Sequence, residues 1–194
     1  MNIADIRALQ PCYDPTKYLP EAWQGTARDI LSIADYPAED RLWVVLRSDW
    51  IPAPVLRTFA LWCAREALKL LPAPNQRSVA AYSVARRYVK GTTSAAELTA
   101  AWAEAHSVIQ TSSAAAYEAV TEAVDAADAL DAPRAEDPQC VTRHVRDAAT
   151  SAARAAACVA RDRNAAADIE ADAAAEAAAN AAREGQVATL LTLL

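Results

Sequence analysis

The stretch from Phe59 to Trp102 carries a full set of helix start and stop signals in consistent order, and it constrains the fold more than any other part of the chain. Phe59, Trp62, Cys63, Ala67 and Leu70 recur at helical spacing, and Pro72-Ala73-Pro74-Asn75 ends that helix, because proline lacks the amide donor and clashes with the preceding turn. A second helix follows, with Val79, Tyr82, Ala85 and Val89 on one face. Gly91 stands where a left-handed C-terminal cap is wanted, and Ser94-Ala95-Ala96-Glu97 is a capping box that opens a third helix. The 194 residues include only three glycines, and eight of the ten prolines lie before residue 75. Sheets need turn glycines and β-branched runs, so the expectation is an all-α helical bundle.

Upstream, Asn2 and Asp5 begin a first helix that runs to Leu9, and Pro11 stops it. The proline- and aromatic-rich stretch from Pro11 to Gly25 reads as an ordered strap anchored by Tyr13, Tyr18, Leu19 and Trp23. Thr26 with Asp29 starts a short helix, and Pro37 starts another that buries Leu42, Trp43, Val45 and Leu46. The helix from Val55 to Leu71 is apolar around most of its circumference, which is the pattern of a central bundle helix, with Trp62 in the core.

Beyond Ala95 alanine dominates. Leu98, Trp102, Ala105, Ile109, Ala116, Val120 and Val124 trace one helix, and the two prolines between Asp131 and Pro138 make a connection. A partner helix runs through Val141, Val145, Ala148, Ala152, Val159, Ala166, Ile169 and Ala173 toward Gly185. Small residues on both seams imply a long alanine-rich antiparallel hairpin. The apolar end, Val187 to Leu194, is expected to dock on the domain or on a partner, and the long alanine seam is compatible with a homodimer. Three regions result: short N-terminal helices and strap over 1–54, a helical core over 55–130, and an alanine-rich C-terminal helix over 131–194 packed on the same domain.

No pattern of catalytic groups emerges. Cys140 and His144 would share a helical face, but two further metal ligands are missing, so no metal or cofactor is expected. The glycines form no phosphate-cradling loop, and no serine sits in a strand–turn–helix elbow. The four cysteines are widely spaced, as in reduced cytosolic proteins, and no uncharged stretch is long enough to span a bilayer, so a cytoplasmic, non-enzymatic protein is expected.

Charge carries the functional signal. Residues 1–93 hold 12 Lys+Arg against 9 Asp+Glu, net +3, whereas residues 94–194 hold 7 against 16, net −9. Glu97, Glu104, Glu118 and Asp125 are spaced at multiples of seven and share one helical flank, with Glu122 one turn from Glu118. Such a flank repels phosphate backbones and attracts a basic protein surface. It is therefore the candidate partner-binding face, with no direct nucleic acid or membrane contact. Internal pairing with the basic cluster Arg77, Arg86, Arg87 and Lys90 is the competing reading.

Phe59-Ala60-x-x-Cys63-Ala64-Arg65-x-Ala67-Leu68, Arg77-Ser78-x-x-Ala81, Ala85-x-x-Tyr88-x-x-Gly91 and Glu97-Leu98-x-x-Ala101 together resemble the alanine-rich immunity proteins of bacterial polymorphic toxin systems, the immunity-five-like group, with relatives in phages and prophages. The resemblance covers Phe59 to about Val124. It implies an all-helical protein that binds and neutralises another protein, a toxin, nuclease or nucleic-acid-binding effector. A phage-encoded anti-defence protein such as an anti-CRISPR is the alternative, and it would act on a host nuclease or surveillance complex by the same physics.

Overall fold

The computed structural model describes residues 1–47, 49–109, 117, 121, 124–125, 138–163 and 168–194. The described chain is all-α: α1 (Ile3–Ala8), α2 (Ala27–Leu31), α3 (Ala38–Val45), α4 (Ala53–Lys69), α5 (Gln76–Val89), α6 (Ala95–Ile109), α7 (Pro138–Arg163) and α8 (Asp168–Leu193), with a 3-10 turn at Pro15–Lys17. Among the described residues the one extended pairing is an isolated bridge between Asn2 and Gln24.

Local signals act where the sequence places them. Asn2 and Thr26 each accept the N3 amide and receive the N3 aspartate, Asp5 or Asp29, on their own amide, so α1 and α2 open on complete capping boxes. Gly25 precedes the second box. A side chain there would come within 2.7 Å of the Trp23 ring, so the strap closes on α2 only with glycine at this point. Tyr18 stacks on the fully buried Tyr36 with ring centroids 4.5 Å apart, and Tyr13 meets Tyr36 edge-on at 6.0 Å. Their shared burial pushes the Tyr13 and Tyr36 phenols up from their ordinary pKa.

Helix α4 is central, packing against α5, α7 and α8. Leu56, Phe59, Ala60, Cys63, Ala64 and Ala67 are buried along it. Trp62 departs from its expected core position: it is half-buried, stacked on Phe59 at 6.3 Å, and borders a cavity of about 310 Å³ walled by Ala152, Ala156, Ala182 and Gly185. A helix this apolar offers several faces to the core, and packing gave the inner one to Phe59 and Cys63. In α5 the buried residues are Ser78, Ala81 and Ala85, with Val79, Tyr82 and Val89 half-buried beside them.

The alanine-rich antiparallel hairpin is present, but its arms are α7 and α8. Arg161 pairs with Asp172 at 2.9 Å, and the Gln186 side-chain amide donates to the Ala149 carbonyl at 2.8 Å, so the two helices run in opposite directions. The helix expected to continue from Pro138 to Gly185 is thus two helices. The buried phase resets accordingly, with Val145, Ala148 and Ala152 buried on α7 and Ala171, Ala175 and Ala179 buried on α8, while Ala173 is exposed. Alanine at these positions lets the backbones approach closely. Gly185, expected near the helix end, lies inside α8 against Trp62, and the apolar terminus docks internally through Val187 and Leu190.

Helix α8 also contacts α2, α3 and α4, so the N-terminal and C-terminal regions share one buried cluster. Arg41, only 4% exposed, pins them together. It donates to the Leu31 carbonyl at the end of α2 at 2.7 Å and to Glu184 Oε1 on α8 at 2.6 Å.

Candidate partner-binding face

The acidic flank starts from a helix stop. Gly91 adopts φ +70°, its amide donates to the Tyr88 carbonyl at 2.8 Å, and the Thr92 amide donates to the Arg87 carbonyl at 2.9 Å. This is the paired-bond cap that glycine allows at the end of α5. Three residues later Ser94 opens α6: its amide donates to Glu97 Oε2 at 3.1 Å, and the Glu97 amide donates to Ser94 Oγ at 3.3 Å. The Thr93 hydroxyl also bonds the Glu97 carboxylate. These donors, Thr93 first and the Ser94 amide next, hold the Glu97 carboxyl below its ordinary pKa. Glu97 is therefore ionised and fixed in direction while its side chain is exposed.

Glu104 lies two turns further along α6, exposed, with Arg77 Nε at 3.5 Å and Arg77 itself donating to Ser107 Oγ at 3.2 Å. Both charges in this pair are more than 60% exposed, so it contributes at most about 1 kcal/mol, and another cation can displace it at little cost. Among the described residues the internal pairing weighed against partner binding thus exists as the Arg77–Glu104 contact and a weaker pull of the Arg87 charge on Glu97. Between α5 and α6, Glu97 and Glu104 line an open groove of about 480 Å³ whose floor is Ala80, Ala81, Val84, Ala100 and Ala101. Its wall on the α5 side includes Gln76 and Arg77.

The remaining predicted residues are distributed differently. Asp125 is helical and partly buried, with Oδ2 4.0 Å from His144 Nδ1 on α7, so it faces the hairpin and does not share the exposure of Glu97 and Glu104. Heptad spacing on an isolated helix cannot show which neighbour covers which turn. Glu118 and Glu122 lie outside the described residues, as does the Cys140 side chain that was paired with His144 as a metal-ligand spacing. His106 stacks on Trp102 at 4.9 Å. Among the described residues no group of three or more His, Cys, Asp or Glu side chains is arranged to hold a metal ion, and no helix is long and apolar enough to cross a membrane.

Sequence reasoning missed a second charged locus. Arg47 and Arg146 both lie over the Trp43 ring, their guanidinium carbons 4.9 and 5.3 Å from its centroid. Trp43 is half-buried rather than buried as expected, lying at the edge of the core with these two cations over its ring. Only the i,i+4 spacing of Trp43 and Arg47 was visible in the chain; Arg146 arrives from about 100 residues away.

Compared with known proteins, the chain matches no family model, and neither the curated proteins nor the solved structures contain a significant match.

Proposed function

We propose that this chain is a non-enzymatic, immunity-type inhibitor that neutralises a toxin or nuclease by laying the acidic flank of α6 across a basic functional surface. The observation that carries the reading is the groove between α5 and α6, where an apolar floor is rimmed by two accessible carboxylates, Glu97 and Glu104. An apolar floor supplies affinity through burial, and the fixed charge at its rim supplies steering and orientation. The Glu97 capping box adds preorganisation, since its carboxylate is already held when a partner arrives. The net charge of −9 over residues 94–194 extends the attraction beyond the groove. The resemblance of Phe59–Val124 to immunity-five-like proteins supports the same class of partner.

The test is affinity capture from the native host followed by charge reversal. A captured basic protein should bind with an affinity that falls steeply as salt rises, because exposed charges are screened over about 10 Å at 0.1 M. Glu104→Lys should weaken that binding and flatten its salt dependence. Capture of a partner whose binding is indifferent to both salt and Glu104→Lys sinks the proposal.

A further inference from the structure

A chain of net charge −6 has little need to bring two arginines together, yet Arg47 and Arg146 converge half-buried on Trp43. Neither forms an ion pair with a described residue, and the buried Arg47 Nε finds no hydrogen-bond partner among them. Burial lowers the pKa of both guanidiniums, the Arg146 charge lowers that of Arg47 further, and the nearby carboxylates Asp49 and Asp147 offset part of this for Arg47 and Arg146 in turn. Beside the ring is a cavity of about 100 Å³ at the meeting of α3, α7 and α8, lined by Trp43, Arg146, Asp147, Thr150, Arg183 and Glu39 among others. Arg183 is already committed to Glu39 at 3.0 Å, and Asp147 has interactions of its own. Among the described residues Arg146 is thus the cavity-lining cation with no close ion pair, its charge offset only in part by the neighbouring Asp147, and Arg47 lies over the same ring.

We propose that this cavity is a binding site for one small oxyanion of the phosphate or carboxylate class, held chiefly by Arg146. The reasoning is electrostatic and geometric. Like charges packed on one ring repel, and an anion offsets that repulsion where water is partly excluded. A guanidinium held over an indole face is restrained there, and its N–H fork suits the two-pronged contact that oxyanions accept. The volume suits a single small anion and excludes a nucleotide. The site stands on α3, α7 and α8, away from the α5–α6 groove, and is independent of the partner-binding proposal.

The experiment uses the full chain and inorganic phosphate, with sodium chloride at matched ionic strength as reference and succinate as the carboxylate arm. Calorimetric titration and thermal melts are recorded for the wild type, Arg146→Gln, Arg146→Lys and Arg47→Gln. Saturable binding by phosphate or succinate is expected, and whichever anion binds names the source. It should weaken at least tenfold in Arg146→Gln and less in Arg146→Lys, which keeps the charge and loses the fork, with circular dichroism establishing that each variant is folded. A stabilisation that tracks ionic strength alone, or anion binding that survives Arg146→Gln, overturns the assignment.

Discussion

Arg41→Met removes a buried guanidinium while keeping most of its aliphatic bulk, and the structure allows its cost to be worked out. Two hydrogen bonds go, at 2.7 Å to the Leu31 carbonyl and 2.6 Å to Glu184. The two losses are unequal. Glu184 is 58% exposed and rehydrates, whereas the Leu31 carbonyl at the end of α2 loses a charged donor within the core, at about 1–3 kcal/mol. Against this, the Arg41 Nε has no partner among the described residues, so removing the ion also relieves part of its desolvation cost. The net expectation is a destabilisation of about 2 kcal/mol, or about 1 M in the urea midpoint at an m-value of about 2 kcal/mol/M. Urea titration followed by circular dichroism at 222 nm measures it. Glu184→Gln should cost less, and the double variant should show a coupling of about 0.5–2 kcal/mol, since the two side chains touch. An Arg41→Met protein as stable as the wild type would refute the claim that this side chain ties α2, α3 and α8 together.

Two glycines should respond in opposite directions. Gly91→Ala meets open space but must hold φ +70°, so it should lose about 1–2 kcal/mol, visible as a lower melting temperature. Gly185→Ala sits within α8 and places its methyl 3.9 Å from Trp62, an ordinary contact, so it should gain about 0.5–1 kcal/mol in the same melt. The capping carboxylates Asp29 and Glu97 are held below their ordinary values of 3.8 and 4.5 by their Thr26, Thr93 and Ser94 donors. Their contribution is therefore complete above those values and disappears as pH falls through the lower folded-state ones. Urea midpoints at pH 6 and pH 3 should fall further for the wild type than for a D29N/E97Q variant; an identical fall contradicts the capping role.

What could be read in the chain was local. Asn2, Thr26, Gly91 and Ser94 act within a few residues of themselves, and each cap is where its spacing placed it. Long-range choices were not readable. Between Arg163 and Asp168 the sequence is Asn-Ala-Ala-Ala, with neither proline nor glycine to mark a change of direction, so one helix was expected where α7 and α8 stand. Arg41 finds Glu184 across 143 positions, and nothing near Arg41 distinguishes it from a surface arginine. The acidic stripe shows the same division. Its first member was identifiable from the capping box, Glu104 has Arg77 from the preceding helix, and Asp125 is turned toward His144 on α7.

The central claim is that the acidic flank engages a basic protein. Its most direct test is the affinity of the captured partner for a variant in which Glu104, Glu118 and Glu122 are all changed to lysine and Glu97 is kept to preserve the cap, measured across a salt series. The account predicts at least a tenfold loss of affinity with a markedly shallower salt dependence, because electrostatic attraction has been replaced by repulsion. Equal affinity and an unchanged salt slope would contradict it.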